Sequence, residues 1–163
     1  VPLDEIEGNI MLEKRMSGNA PYYVLGPIPC DTGAGYDHIS AAIGAASSAR
    51  FGADLVCYIT PAEHLALPDV HDVREGVRAT RLAVRIGDLA KYPDRRDTEK
   101  QAALARRDMR WEDLSRHLLF PDIAETVRSA RAPEEKQTCT MCGDFCAMKK
   151  GMELFETDIK EKR

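Results

Sequence analysis

Apolar residues at Leu3, Ile6, Ile10 and Met16 recur among acids and the pair Lys14, Arg15, a near-helical spacing that predicts an amphipathic helix ended by Gly18 and Asn19. The pattern then changes. YYVL, residues 22–25, is a short β-rich run closed by GPIP and predicts a buried strand. A loop with Gly33 and Gly35 leads to Asp37, placed to N-cap a helix running through Ile39, Ala42, Ile43 and Ala46 to Arg50, with Gly52 as its stop. ADLVCYIT, residues 53–60, predicts a second buried strand. The loop PAEHLALP follows, then Asp69 and a long helix over residues 70–91 carrying Val73, Val77, Leu82 and Ile86.

Continuously apolar strands alternating with helices predict an α/β fold of parallel β/α units with both sheet faces covered. After Tyr92 and Pro93 the composition turns highly charged, with short helices expected in AALARRDMRWEDL and from Pro121, and with no strand candidate. The expected organisation is therefore a β/α part over residues 1–92 and a helical arm over 93–163. Two strands cannot close a sheet alone, so the β/α part is expected to be a piece of a larger barrel or half of an assembly with another chain.

With 44% hydrophobic and 31% charged residues and a net charge of -4, the chain reads as globular and is not built to coat nucleic acid. No apolar run nears the roughly 20 residues that span a bilayer. The start, VPLDEIEGNI, lacks an initiator Met and the layout of a signal peptide. The expected compartment is the cytoplasm, with the start a possible boundary within a longer chain. Five cysteines, an odd number, argue there against a disulfide framework and towards metal binding or catalysis.

Three of those cysteines, Cys139, Cys142 and Cys146, fall within TCTMCGDFCAMK. Structural zinc wants four nitrogen or sulfur ligands, commonly in two pairs, and the nearest histidine in sequence is His117. Three thiolates suit a [4Fe-4S] cluster better, each holding one iron and leaving the fourth iron open to a substrate such as S-adenosylmethionine. Of the other two, Cys57 lies inside a predicted strand, where a small buried residue is the ordinary reading, and Cys30 opens a loop.

In β/α barrels, active sites form where strands run into their following helices. The first such loop, GPIPCDTGAGYDHI, offers Cys30, Asp31, Tyr36, Asp37 and His38; the second, TPAEHLALP, offers Glu63 and His64. Asp37 has an alternative as a cap, and a lone loop histidine such as His64 is more often a surface residue than a ligand.

The blocks GNAPYYVLGP, GAGYDHISAAIGAA, GADLVCYITPAEHLALPDVHDVREG, ARRDMRW and CTMCGDFCAMK, in this order over nearly the whole chain, resemble the C-terminal part of the phosphomethylpyrimidine synthase (ThiC) family. The resemblance implies the last portion of a (β/α)8 TIM barrel followed by an α-helical arm with an Fe-S cluster motif, in a homodimer whose arm serves the partner barrel. It implies a radical S-adenosylmethionine carbon-carbon lyase that acts on 5-aminoimidazole ribotide and draws electrons from a flavodoxin- or ferredoxin-type donor. Cys139, Cys142 and Cys146 match its cluster ligands, His64 matches one of two histidines for zinc or another divalent metal, Tyr23 matches a substrate-contacting tyrosine, and Cys57 matches a cysteine close to the reaction. The second metal histidine and the upstream substrate loops precede Val1 in the family, so activity is expected only in the full-length or assembled protein.

Two departures stand out against the family. A pattern like TDxAxGYDH reads CDTGAGYDH here, with Cys30 in place of Thr, and AAHAADIAKG reads AVRIGDLAKY, with Arg85 in place of His. They tilt the expectation towards the family's 5-hydroxybenzimidazole-forming branch of cobamide synthesis, with the thiamine-pyrimidine branch as alternative. An Fe-S electron carrier and a zinc-stabilised interaction module are the non-enzymatic rivals.

Overall fold

The computed structural model describes residues 1–131, 139–151 and 154. It is an α/β structure, mostly helical, with one small two-stranded sheet. The chain forms two compact units, Val1–Arg95 and Arg96–Arg163. The stretches 132–138, 152–153 and 155–163 of the expected arm lie outside the described residues.

In the first unit, α1 (Ile6–Met16) follows a 3-10 turn, and Gly18 and Asn19, both at positive φ, end it as the sequence predicts. β1 (Tyr23–Val24) and β2 (Leu55–Val56) pair in parallel, Tyr23 opposite Leu55 and Val24 opposite Val56. The strands are shorter than the runs 22–25 and 53–60. Side chains alternate across the pleat. Val24 and Val56 pack with Tyr22 and Phe51 against a core of Ile6, Ile10 and Ala53, while Tyr23 and Leu55 on the other face are 53% and 62% exposed. The expectation of two covered faces is thus met on one face only within this chain.

α2 (Asp37–Phe51) and α3 (Val70–Lys91) pack along each other through small residues. The buried positions are Ser40, Ala41, Gly44, Ala45, Ser48 and Ala49 on α2, and Gly76, Thr80, Ala83 and Gly87 on α3. A methyl group at Gly87 would lie 2.6 Å from the Ala49 Cβ. The large apolar residues that marked these helices in the sequence, Ile39, Ile43, Val77, Leu82 and Ile86, are instead exposed. Periodicity found the helices; their mutual contact runs through the small residues, because backbones this close leave room only for small side chains.

Further contacts fix the ends of these elements. Lys14 pairs with Asp54, whose carboxylate also accepts the Tyr22 N–H at 2.8 Å; these two donors, Lys14 foremost, hold the Asp54 carboxyl below its ordinary range. α3 begins with a capping box, Asp69 accepting from the Asp72 N–H at 2.9 Å and Asp72 from the Asp69 N–H at 3.0 Å. The Arg85 guanidinium donates to the Arg95 carbonyl at 3.1 Å, bracing the 3-10 turn Pro93–Arg95.

In the second unit, α4 (Arg96–Arg107) and α5 (Trp111–Ser115) are separate short helices that divide the stretch AALARRDMRWEDL. Met109, in the left-handed region at φ 55°, breaks the run between them. α6 (Pro121–Ala130) starts at its proline, which tolerates the first helical position because the N–H there has no helical partner. Among the described residues no strand follows Val56.

Candidate functional site

The sheet brings two predicted site residues together. Cys57 continues the parallel ladder past β2, its N–H donating to the Val24 carbonyl at 2.8 Å. Being two residues beyond Leu55, it faces the same side as Leu55 and Tyr23. There the Cys57 thiol hydrogen-bonds the Tyr23 hydroxyl, and this bond, then desolvation, then the charges of Cys57 and Tyr58, raise the Tyr23 pKa above its ordinary value of 10.0. The phenol is therefore kept protonated and can donate or accept. Cys57 is half-buried and unpaired by disulfide.

The loop after β2 presents His64. Glu63 N–H donates to the Thr60 carbonyl, and Leu65 and Ala66 N–H both reach the Ala62 carbonyl, at 3.1, 2.9 and 3.0 Å. This tight turn leaves His64 at φ 60° with its side chain 75% exposed. Its Nδ1 lies 3.8 Å from the Asp37 carboxylate.

The loop after β1 turns at Gly35, φ 88°, and contains contacts of Cys30 with the Thr32 hydroxyl at 3.4 Å and of Ser40 with the Cys30 carbonyl at 3.4 Å. Tyr36, not Asp37, is the N-cap of α2, and its carbonyl accepts from the N–H groups of Ile39 and Ser40 at 2.9 and 3.1 Å. Asp37 is instead the first residue inside the helix and is buried. Its approach to His64 was not foreseen from sequence, although both residues follow the two strands and so were bound to the same end of the sheet.

In the second unit, the three clustered cysteines are free thiols, Cys139 and Cys142 exposed and Cys146 half-buried. Gly143, at φ 50°, turns the chain between the second and third of them through the 3-10 turn Gly143–Phe145. Cys139 also lines a cavity of about 960 Å³ between α5 and α6, walled by Trp111, Leu114, Leu118, Ile123 and Val127, with the Arg128 guanidinium 4.0 Å from the Trp111 ring centre. Three sulfur donors on one turning segment are the donor set an Fe-S cubane takes, since it holds each thiolate on a separate iron. Among the described residues, one group of three ligand-type side chains has its donor atoms within 4.8 Å of one another, Asp69, His71 and Asp72, and the capping box already occupies Asp69 and Asp72. No helix among the described residues is long and apolar enough to cross a membrane.

The profile of the Radical SAM ThiC family matches residues 1–153. The chain is 76% identical over 163 residues to a 5-hydroxybenzimidazole synthase of Desulforapulum autotrophicum, covering 100% of this chain and 37% of that protein. It is 58% identical over 161 residues to a 5-hydroxybenzimidazole synthase of Geobacter metallireducens, 98% of this chain and 37% of the relative. To phosphomethylpyrimidine synthase 2 of Methanosarcina mazei it is 51% identical over 150 residues, 91% of this chain and 35% of the relative. The chain thus spans little more than a third of the length of these curated relatives.

Proposed function

The chain belongs to the Radical SAM ThiC family, and on that premise we propose that it is part of an enzyme that converts 5-aminoimidazole ribotide to 5-hydroxybenzimidazole. The observation that carries the branch is the step in identity from 76% with a 5-hydroxybenzimidazole synthase to 51% with a phosphomethylpyrimidine synthase. Family membership implies an iron-sulfur cluster and S-adenosylmethionine. In this reading residues 1–92 complete a (β/α)8 barrel and 93–163 form the arm, with Cys139, Cys142 and Cys146 holding three irons of a [4Fe-4S] cluster. The full assembly is a homodimer served by a flavodoxin- or ferredoxin-type donor.

When bound, the cluster and S-adenosylmethionine supply one-electron cleavage of a sulfonium to a carbon radical. The chain's own residues position and shield. Tyr23, its proton retained, orients the ribotide through its hydroxyl, and Cys57, beside it on the open sheet face, stands next to the reacting carbons. The exposed face of Tyr23, Leu55 and Cys57 becomes the dry interior once the remaining strands close the barrel, which keeps water from a reactive intermediate. His64 at the rim holds zinc or another divalent metal through its imidazole.

The test is anaerobic incubation of the full-length protein with reconstituted cluster, reductant, S-adenosylmethionine and 5-aminoimidazole ribotide, with products read by mass spectrometry. 5-Hydroxybenzimidazole is the expected product. Hydroxymethylpyrimidine phosphate would move the protein to the thiamine branch; neither product from cluster-loaded protein would overturn the substrate. In the same preparation Cys142→Ser is expected to lower bound iron sharply.

A further inference from the structure

We infer that Asp37 is the positioning residue for His64: its carboxylate takes the hydrogen bond of the Nδ1 proton, fixes that tautomer, and leaves Nε2 as the atom that binds metal. The inference rests on the reading of His64 as a metal ligand and adds to it the residue that aims the ring and the nitrogen that does the binding.

Asp37 is 5% exposed, and a carboxylate taken out of water is costly unless a partner compensates it. As the first residue of α2 its carboxylate is favoured by the positive end of the helix, which lessens that cost, but among the described residues no backbone N–H of that turn donates to it. Among the described residues the charged partner found for Asp37 is His64, Nδ1 to Oδ2 at 3.8 Å. That separation is longer than a charge-assisted hydrogen bond of about 2.8 Å, and a small swing of the exposed ring closes it.

His64 is prepared for the role by its backbone. The Thr60–Ala66 turn holds it in the left-handed region at φ 60°, a conformation uncommon outside glycine and frequent where a side chain must be presented for function. With Nδ1 facing the buried carboxylate, Nε2 is the nitrogen on the open side. Metal needs the lone pair of a neutral imidazole, and a carboxylate on the opposite N–H both orients the ring and raises its basicity.

The experiment measures Zn²⁺ and Co²⁺ dissociation constants of the full-length protein by competition with a chromophoric chelator, for wild type, Asp37→Ala, Asp37→Asn, His64→Ala and the Asp37→Ala/His64→Ala double variant. Asp37→Ala is expected to weaken binding by about 10- to 100-fold. Asp37→Asn, which keeps an acceptor without the charge, should recover part of it, and the double variant should bind no more weakly than His64→Ala. Unchanged affinity in Asp37→Ala beside a loss in His64→Ala would overturn the role of Asp37 alone. Unchanged affinity in His64→Ala would overturn the metal reading itself and the role of Asp37 with it. A measurement that needs no change at Asp37 is the ¹⁵N spectrum of histidine-labelled metal-loaded protein, with the His64 signals identified by their loss in His64→Gln. A protonated Nδ1 and a bare, metal-shifted Nε2 are expected; a protonated Nε2 would overturn the inference.

Discussion

Asp54 receives the Lys14 ammonium and the Tyr22 N–H on one carboxylate, tying the end of α1 to the entrances of both strands. Because these donors lower its folded pKa, the stabilisation is complete above the ordinary carboxylate value and is lost as pH falls through the lowered one. Asp54→Asn in the full-length protein is expected to lower the melting temperature at pH 7, with the gap to wild type narrowing as the medium is acidified below the usual carboxylate range. A gap independent of pH would mean that shape, not charge, is what Asp54 contributes. Sequence placed His64 in the loop after the second strand, and the family resemblance singled out Tyr23 and Cys57. It did not reveal which neighbours they meet, since the Tyr23–Cys57 bond depends on strand register and the Asp37–His64 approach on how two loops converge.

At the scale of elements, the helices and both strands were legible from apolar spacing and from their stops at Gly18, Asn19 and Gly52, and the parallel pairing followed from their alternation. What spacing could not show is that α2 and α3 meet through their smallest residues. Close backbone packing against the loop after β1 likewise gives helix glycines opposite roles. A methyl group at Gly44 would stand 2.1 Å from the Pro27 carbonyl oxygen, whereas one at Gly8 in α1 meets nothing within 4 Å. Gly44→Ala is therefore expected to destabilise the protein by about 1–3 kcal/mol through overpacking against backbone, and Gly8→Ala to stabilise it by up to about 1 kcal/mol through helix propensity. Denaturant unfolding of the two variants checks the pair, and equal signs would contradict the packing described. The break at Met109 was likewise illegible, because ARRDMRW holds neither glycine nor proline to mark it.

At the scale of the whole chain, the buried apolar residues among those described are mainly alanines, with Ile6 and Ile10 the large ones in the first unit and Leu114 in the second, while Ile39, Ile43, Leu55, Val77, Leu82 and Ile86 lie open. The heat-capacity change of unfolding is set largely by the apolar surface that unfolding exposes. A chain that already shows so much of that surface when folded has little more to release. Calorimetry of these 163 residues alone is therefore expected to give a broad transition with a heat-capacity step below the roughly 12–15 cal/mol/K per residue of ordinary globular proteins. The full-length protein should melt sharply with an ordinary step. The exposed stripes thus amount to a thermodynamic debt of cooperativity, one that further chain packed on them would settle.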